Sequence, residues 1–142
     1  MPERKAQAHW EGSVKEGHGW IAVESGVVEA EYSFGSRFEN RKGTNPEELL
    51  GAAHAGCFTM ALALGLTEAG HPPARIATTA RVGIEKTADG FRIPRIELQT
   101  EGEVPGIDAA AFDQHAAVAK DHCPVSLALA GTEIRLTAKL VE

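Results

Sequence analysis

Cysteine is scarce in this chain, with two among 142 residues, and only 6% of the side chains are aromatic. Positive charge is short as well: 14 Lys and Arg stand against 20 Asp and Glu, a formal net charge of −6. That balance argues against a nucleic acid or an anionic membrane surface as partner. The first dozen residues, MPERKAQAHWEG, contain no apolar stretch and do not read as a secretory signal. With two thiols and no export signal, a reducing, cytoplasmic setting is expected, where a purely structural disulfide is improbable. Phosphate loops, dinucleotide fingerprints and GxSxG elbows are missing, as are CxxC and HxxxH spacings. There is no internal repeat, linker or low-complexity tract. The length fits a single domain, 1–142, with one core.

What the chain does have is one long apolar stretch, Thr44 to Gly70, reading TNPEELLGAAHAGCFTMALALGLTEAG. Asn45 is suited to cap a helix and Pro46 to open it, because the first helical N–H needs no intrahelical acceptor. Glu47 and Glu48 then offset the positive end of the helix dipole. Gly70 and the following His71-Pro72-Pro73 end it. A helix of about 24 residues here spans roughly 36 Å. Its Ala and Gly content and His54 make it a poor bilayer segment, so a buried soluble helix is expected. One short chain has few elements with which to cover a helix apolar on all sides. A second copy packed about a two-fold axis is the economical cover, and the lone chain would show an apolar patch.

Around this helix the pattern reads as strands in 6–40, with Val27–Phe34 the third, then a polar loop over 35–43. Two further strands follow, Ile76–Lys86 and Phe91–Glu103, turned by Asp89-Gly90. Asp108 caps a helix over 109–122, Cys123-Pro124 opens a short one over Val125–Ala130, and Thr132–Val141 alternates as a last strand. Because strands cluster instead of alternating with helices, the class is α+β.

The reactive candidates are the two thiols. Cys123 sits at a helix start, where N–H groups and the dipole favour a thiolate. Cys57 lies deep within the long helix, where burial raises a thiol's pKa and quenches it unless a cation is brought near. By local chemistry Cys123 is the more reactive sulfur. Arg37 is the best cation, since arginine keeps its charge when partly buried. For its carboxylate partner, Glu47 lies about 80° from Cys57 around the helix and Glu48 lies opposite, so Glu47 is preferred. Glu47 and Cys57 are nonetheless roughly 15 Å apart along the axis, which asks for a bridging arginine or a second chain. A His54, Cys57, His122 and Cys123 metal set is the weaker alternative, because adjacent residues point apart.

The segments TNPEELLGAAHAGCFTMAL, GSRFENRKGTNPEEL, VPGID and CPVS, with the opening KAQAHWEGSVKEGHG, resemble the OsmC/Ohr family over nearly the whole chain, the OsmC branch most. The resemblance implies an OsmC-like fold: a mainly antiparallel sheet, a long buried central helix and an intertwined two-fold homodimer. It implies a thiol-dependent peroxidase for organic hydroperoxides, weaker toward hydrogen peroxide, with no metal, haem or flavin cofactor. Cys57 is then the peroxidatic thiol and Cys123 the resolving one, with Arg37 and Glu47 the activating pair, which reverses the local ranking of the sulfurs. Phe58, Phe38 and Met60 are candidates for an apolar substrate pocket. The implied reductant is an external dithiol, a lipoylated protein or a small molecule. The competing expectation is a non-enzymatic binding or structural dimer whose cysteines are core residues.

Overall fold

A computed structural model describes all 142 residues, whose contacts gather into two units, Met1–Leu49 and Leu50–Glu142. In the first, β1 (Ala6–Glu11), β2 (His18–Val23) and β3 (Glu29–Tyr32) form an antiparallel meander. Trp10, Gly19 and Tyr32 lie in one cross-strand row. The two aromatic rings meet edge to face across Gly19, 5.3 Å between centroids. A Cβ on Gly19 would sit 2.7 Å from each ring, so only glycine lets that pair close.

The segment expected to be a polar loop instead holds a short helix, α1 (Phe34–Phe38). Its cause is local. Ser33 Oγ accepts from the Ser36 N–H at 3.1 Å, and Ser36 Oγ accepts from the Ser33 N–H at 2.8 Å, a reciprocal cap. A serine in place of the usual Glu or Gln at the third helical position hid this signal. The long helix α2 (Pro46–Glu68) opens as expected, with Asn45 Oδ1 accepting from the Glu48 N–H at 2.8 Å.

In the second unit, β4 (Arg75–Val82), β7 (Arg95–Glu103) and β8 (Glu133–Leu140) form a sheet in the order β4-β7-β8. β4 pairs antiparallel with β7, whereas β8 runs parallel to it. A parallel neighbour requires a crossover, supplied by α3 (Ala109–His122) and α4 (Pro124–Ala128). The two strands expected between Ile76 and Glu103 are each split. β5 (Glu85–Thr87) and β6 (Gly90–Arg92) form a separate hairpin at the predicted Asp89-Gly90 turn. Gly83 and Pro94 mark the breaks, as residues that weaken or cannot extend a ladder.

The core joins Phe58, Leu62 and Leu66 of α2 to Ile96 and Leu98 of β7 and to Phe112, Ala116 and Ala119 of α3. Gly102 on β7 leaves room for Phe112, whose ring atoms would stand 2.5 Å from an added Cβ. By length and mean hydropathy, 1.7, α2 could cross a membrane. In this fold its His54, Phe58, Leu62 and Leu66 stripe is buried. Burial all round, however, is not what the chain achieves. Ala53, Gly56, Met60 and Leu64 form an opposite stripe that stays exposed, Met60 at 77% and Leu64 at 59%. One sheet can cover only one side of a helix.

Candidate active site

The site residues fall into two groups, one in each unit. In the first unit, the Ser36 carbonyl accepts from Asn45 Nδ2 at 3.0 Å, and Ser36 Oγ donates to the Thr44 carbonyl at 2.7 Å. These bonds pin the last turn of α1 to the first turn of α2. Arg37 and Glu47 are thereby set face to face. Arg37 Nε donates to Glu47 Oε1 at 3.0 Å and Nη2 to Oε2 at 2.9 Å. The Glu47 side chain is 8% exposed and that of Arg37 35%. A buried carboxylate is tolerable when both oxygens are met by a guanidinium fork, which also fixes the plane of the arginine. Glu48 is engaged elsewhere, accepting from Thr44 Oγ1 at 2.8 Å. The preference for Glu47 as the partner of Arg37 therefore agrees with the geometry. Phe38 lies beneath the guanidinium, 5.5 Å from ring centroid to Cζ.

In the second unit, Cys57 of α2 and Cys123, between α3 and α4, are both free thiols. Cys57 is half-buried and Cys123 wholly buried. The two thiols lie close enough for Cys123 to perturb Cys57, so residues far apart in sequence are brought together within one chain. Cys123 closes α3, its N–H donating to the Ala119 carbonyl at 2.9 Å, and caps α4, its sulfur accepting from the Ser126 N–H at 3.3 Å. Pro124 follows as the first residue of α4. Burial pushes the Cys57 thiol above its usual range, and the neighbouring Cys123 pushes it further. A hydrogen bond from the Val125 backbone pulls the other way. No cation contributes to that shift, so Cys57 in this setting is a protonated, weak nucleophile.

Two residues outside the expected set complete the cluster. His54, one turn before Cys57, is wholly buried, and its Nε2 lies 2.7 Å from Ser126 Oγ. The Cys123 thiol donates to that same oxygen at 3.1 Å. Burial lowers the pKa of His54 and keeps it neutral. The 54/57 spacing showed a shared helix face, but nothing in the sequence pointed at Ser126. His122 turns away on the surface, its Nδ1 3.0 Å from the Val118 carbonyl, so it does not join Cys123 in a ligand set. Of the pocket candidates, Phe58 is core and Met60 lies on the exposed stripe.

Comparison with known proteins places the chain among relatives of one family. A family model described as OsmC-like protein matches residues 39–139. The chain is 55% identical over 127 residues to Peroxiredoxin OsmC of Escherichia coli K12, covering 89% of each chain. It is 35% identical over 97 residues to the organic hydroperoxide resistance protein of Xanthomonas axonopodis pv. citri, covering 67% of this chain and 66% of that one. Among solved structures, an organic hydroperoxide resistance protein from Elizabethkingia anophelis superimposes with a TM-score of 0.72 at 28% identity. That match covers 97% of this chain and 96% of the other.

Proposed function

The chain belongs to the OsmC family, and from that premise we propose that it is a thiol-dependent peroxidase acting on organic hydroperoxides through Cys57 and Cys123. The observation that carries the reading is the close approach of two free thiols, one half-buried and one enclosed. Two inert core cysteines have no need to meet. The names of the relatives, a peroxiredoxin and organic hydroperoxide resistance proteins, support the reaction and the substrate class.

The thiolate of Cys57 attacks the terminal oxygen of the hydroperoxide. The O–O bond breaks, the alcohol leaves after protonation, and Cys57 becomes a sulfenic acid. The thiol of Cys123 condenses with it, forming the disulfide and releasing water before further oxidation intervenes. An external dithiol then restores both thiols by exchange. Because Cys123 is wholly buried, the reductant attacks at Cys57.

Cys57 needs a cation, since its own surroundings hold the proton on. We assign that role to Arg37, held in plane by Glu47. A guanidinium lowers the thiol pKa and stabilises negative charge developing on the peroxide oxygens. A second copy of the chain is the proposed cover for the exposed stripe of Met60 and Leu64. In such a homodimer, Arg37 and Glu47 of one protomer serve Cys57 of its partner.

The test is consumption of an organic hydroperoxide with excess dithiol. Cys57→Ser is expected to fall to the protein-free background. Cys123→Ser should undergo one oxidation and then stall as a sulfenic acid, or over-oxidise to a sulfinic acid with a second hydroperoxide, seen by mass spectrometry. Slow, unsaturable loss of thiols in the unaltered protein would instead favour a binding or structural dimer. Peroxide turnover by Cys57→Ser with none by Cys123→Ser would invert the roles.

A further inference from the structure

The peroxidase cycle as written gives no role to the imidazole of His54, although it is one of the most enclosed polar groups in the protein. Its Nε2 meets Ser126 Oγ at 2.7 Å, and its Nδ1 has no protein partner. A buried polar atom left unpaired is uncommon and calls for a cause. Ser126 is itself buried and accepts from the Cys123 thiol at 3.1 Å, while its N–H donates to the same sulfur at 3.3 Å. The three side chains form one line, Cys123 Sγ–H to Ser126 Oγ–H to His54 Nε2. With the hydroxyl accepting from the thiol, its own hydrogen is directed at Nε2, which must then be the acceptor. The neutral ring favoured by burial is the form that can accept. No carbonyl or carboxylate holds the proton on Nδ1, so it is free to leave once Nε2 has been protonated.

We propose that Ser126 and His54 form a proton relay for the resolving thiol, Ser126 touching the reacting sulfur and His54 positioning and polarising Ser126 from behind. The inference rests on the peroxidase reading and deepens it. When Cys123 attacks the sulfenic acid of Cys57, its S–H bond and the sulfenic S–O bond break, and the S–S bond forms. The thiol proton passes to Ser126 Oγ as the hydroxyl proton passes to His54 Nε2. The imidazolium so formed releases its Nδ1 proton to the hydroxide, which departs as water, and His54 is left carrying its proton on Nε2. In the reductive half, the thiolate of the external dithiol attacks Cys57 and Cys123 is the leaving group. A thiolate expelled into an enclosed site is a poor leaving group without a donor. The relay then runs backwards: Ser126 protonates Cys123, Nε2–H of His54 restores Ser126, and Nδ1 takes up the proton given off by the attacking dithiol.

The experiment mixes the reduced protein with one equivalent of cumene hydroperoxide and follows two products on quenching, dimedone-trapped sulfenic acid and disulfide. Ser126→Ala and His54→Gln are compared with the unaltered chain, each checked by thermal melting. The glutamine can still hydrogen-bond Ser126 but cannot carry the proton. In both variants disulfide formation should slow by at least about tenfold relative to sulfenic acid formation, and sulfenic acid should accumulate. The unaltered protein should show a solvent deuterium isotope effect on disulfide formation that shrinks in His54→Gln. Well-folded variants that resolve at the unaltered rate overturn the relay alone. So does an isotope effect near unity in the unaltered protein, which needs no variant to fold. Absence of any sulfenic acid on Cys57, Cys123→Ser included, overturns the peroxidase reading and the relay with it.

Discussion

The ion pair of the first unit and the thiol cluster of the second meet burial in opposite ways. Arg37 and Glu47 form an ion pair in which each side supplies what the other loses in leaving water, two parallel N–H to oxygen bonds. Cys57 and His54 have no such partner and are pushed toward their neutral forms, the thiol up and the imidazole down. The first arrangement is a cation fixed in place. The second is a set of neutral groups linked by hydrogen bonds. A peroxidatic thiol needs the first kind of help, whereas a resolving thiol needs the second.

The comparison breaks most severely if the cation never serves the thiol. Cys57→Ser chains and Arg37→Ala chains, each inactive alone, are expected on mixing to recover about half of the wild-type peroxidase activity per mixed dimer, because one site then carries both defects and the other neither. The check is hydroperoxide turnover after subunit exchange. No recovery beyond the parents would mean that each site is built within one chain.

A second test sharpens the difference between paired charge and buried neutral groups through pH. The folded pKa of His54 is below its ordinary 6.5, so the unfolded chain binds more protons as pH falls past 6.5. Its contribution is therefore fully present above about pH 6.5 and is lost as pH falls through the lowered value. The folded pKa of Cys57 is above its ordinary 9.0, so the unfolded chain gives up its proton first. That contribution is present below pH 9.0 and is lost as pH rises through the raised value. In the Arg37→Ala chain, where no guanidinium reaches Cys57, denaturant unfolding across this range should show a plateau with a fall on each side. Each single-proton limb has a slope of at most about 1.4 kcal/mol per pH unit. His54→Gln should flatten the acid limb and Cys57→Ser the alkaline limb.

The smallest expected effect concerns an ion pair that lacks burial. Arg75 and Glu103, half-exposed on neighbouring strands, also meet, at 3.1 Å. Arg75→Ala should change stability by no more than about 1 kcal/mol. Glu47→Ala, which strands a partly buried guanidinium, should cost about 1–3 kcal/mol. Equal losses in denaturant titrations would show that enclosure adds nothing to the Arg37–Glu47 pair.

Much of this molecule was legible from local chemistry. The start and stop of α2, the Asp108 cap, the boundaries of α3 and the Asp89-Gly90 turn each follow from one or two side chains acting on backbone groups a few residues away. Glu47 and not Glu48 pairs with Arg37, as preferred, but what fixes the pair is the pinning of α1 against the start of α2 and not the angle to Cys57. What escaped was α1, where a serine did the capping work of a glutamate, and the splitting of the two strands around the β5–β6 hairpin.

The sequence by itself determined the α+β order, the long apolar helix and the residue types from which thiol chemistry could be built. Only the tertiary structure decided that β8 runs parallel to β7, since strand direction depends on the path of the crossover and not on the strand's own pattern. It also decided that the Cys123 thiol lies against Cys57, and that Ser126 stands between Cys123 and His54. Those contacts join α4 to α2 across 72 positions, from His54 to Ser126, and no periodicity within either segment encodes them. Pattern reports which face of an element is apolar, whereas the meeting of two faces depends on how every other element packs.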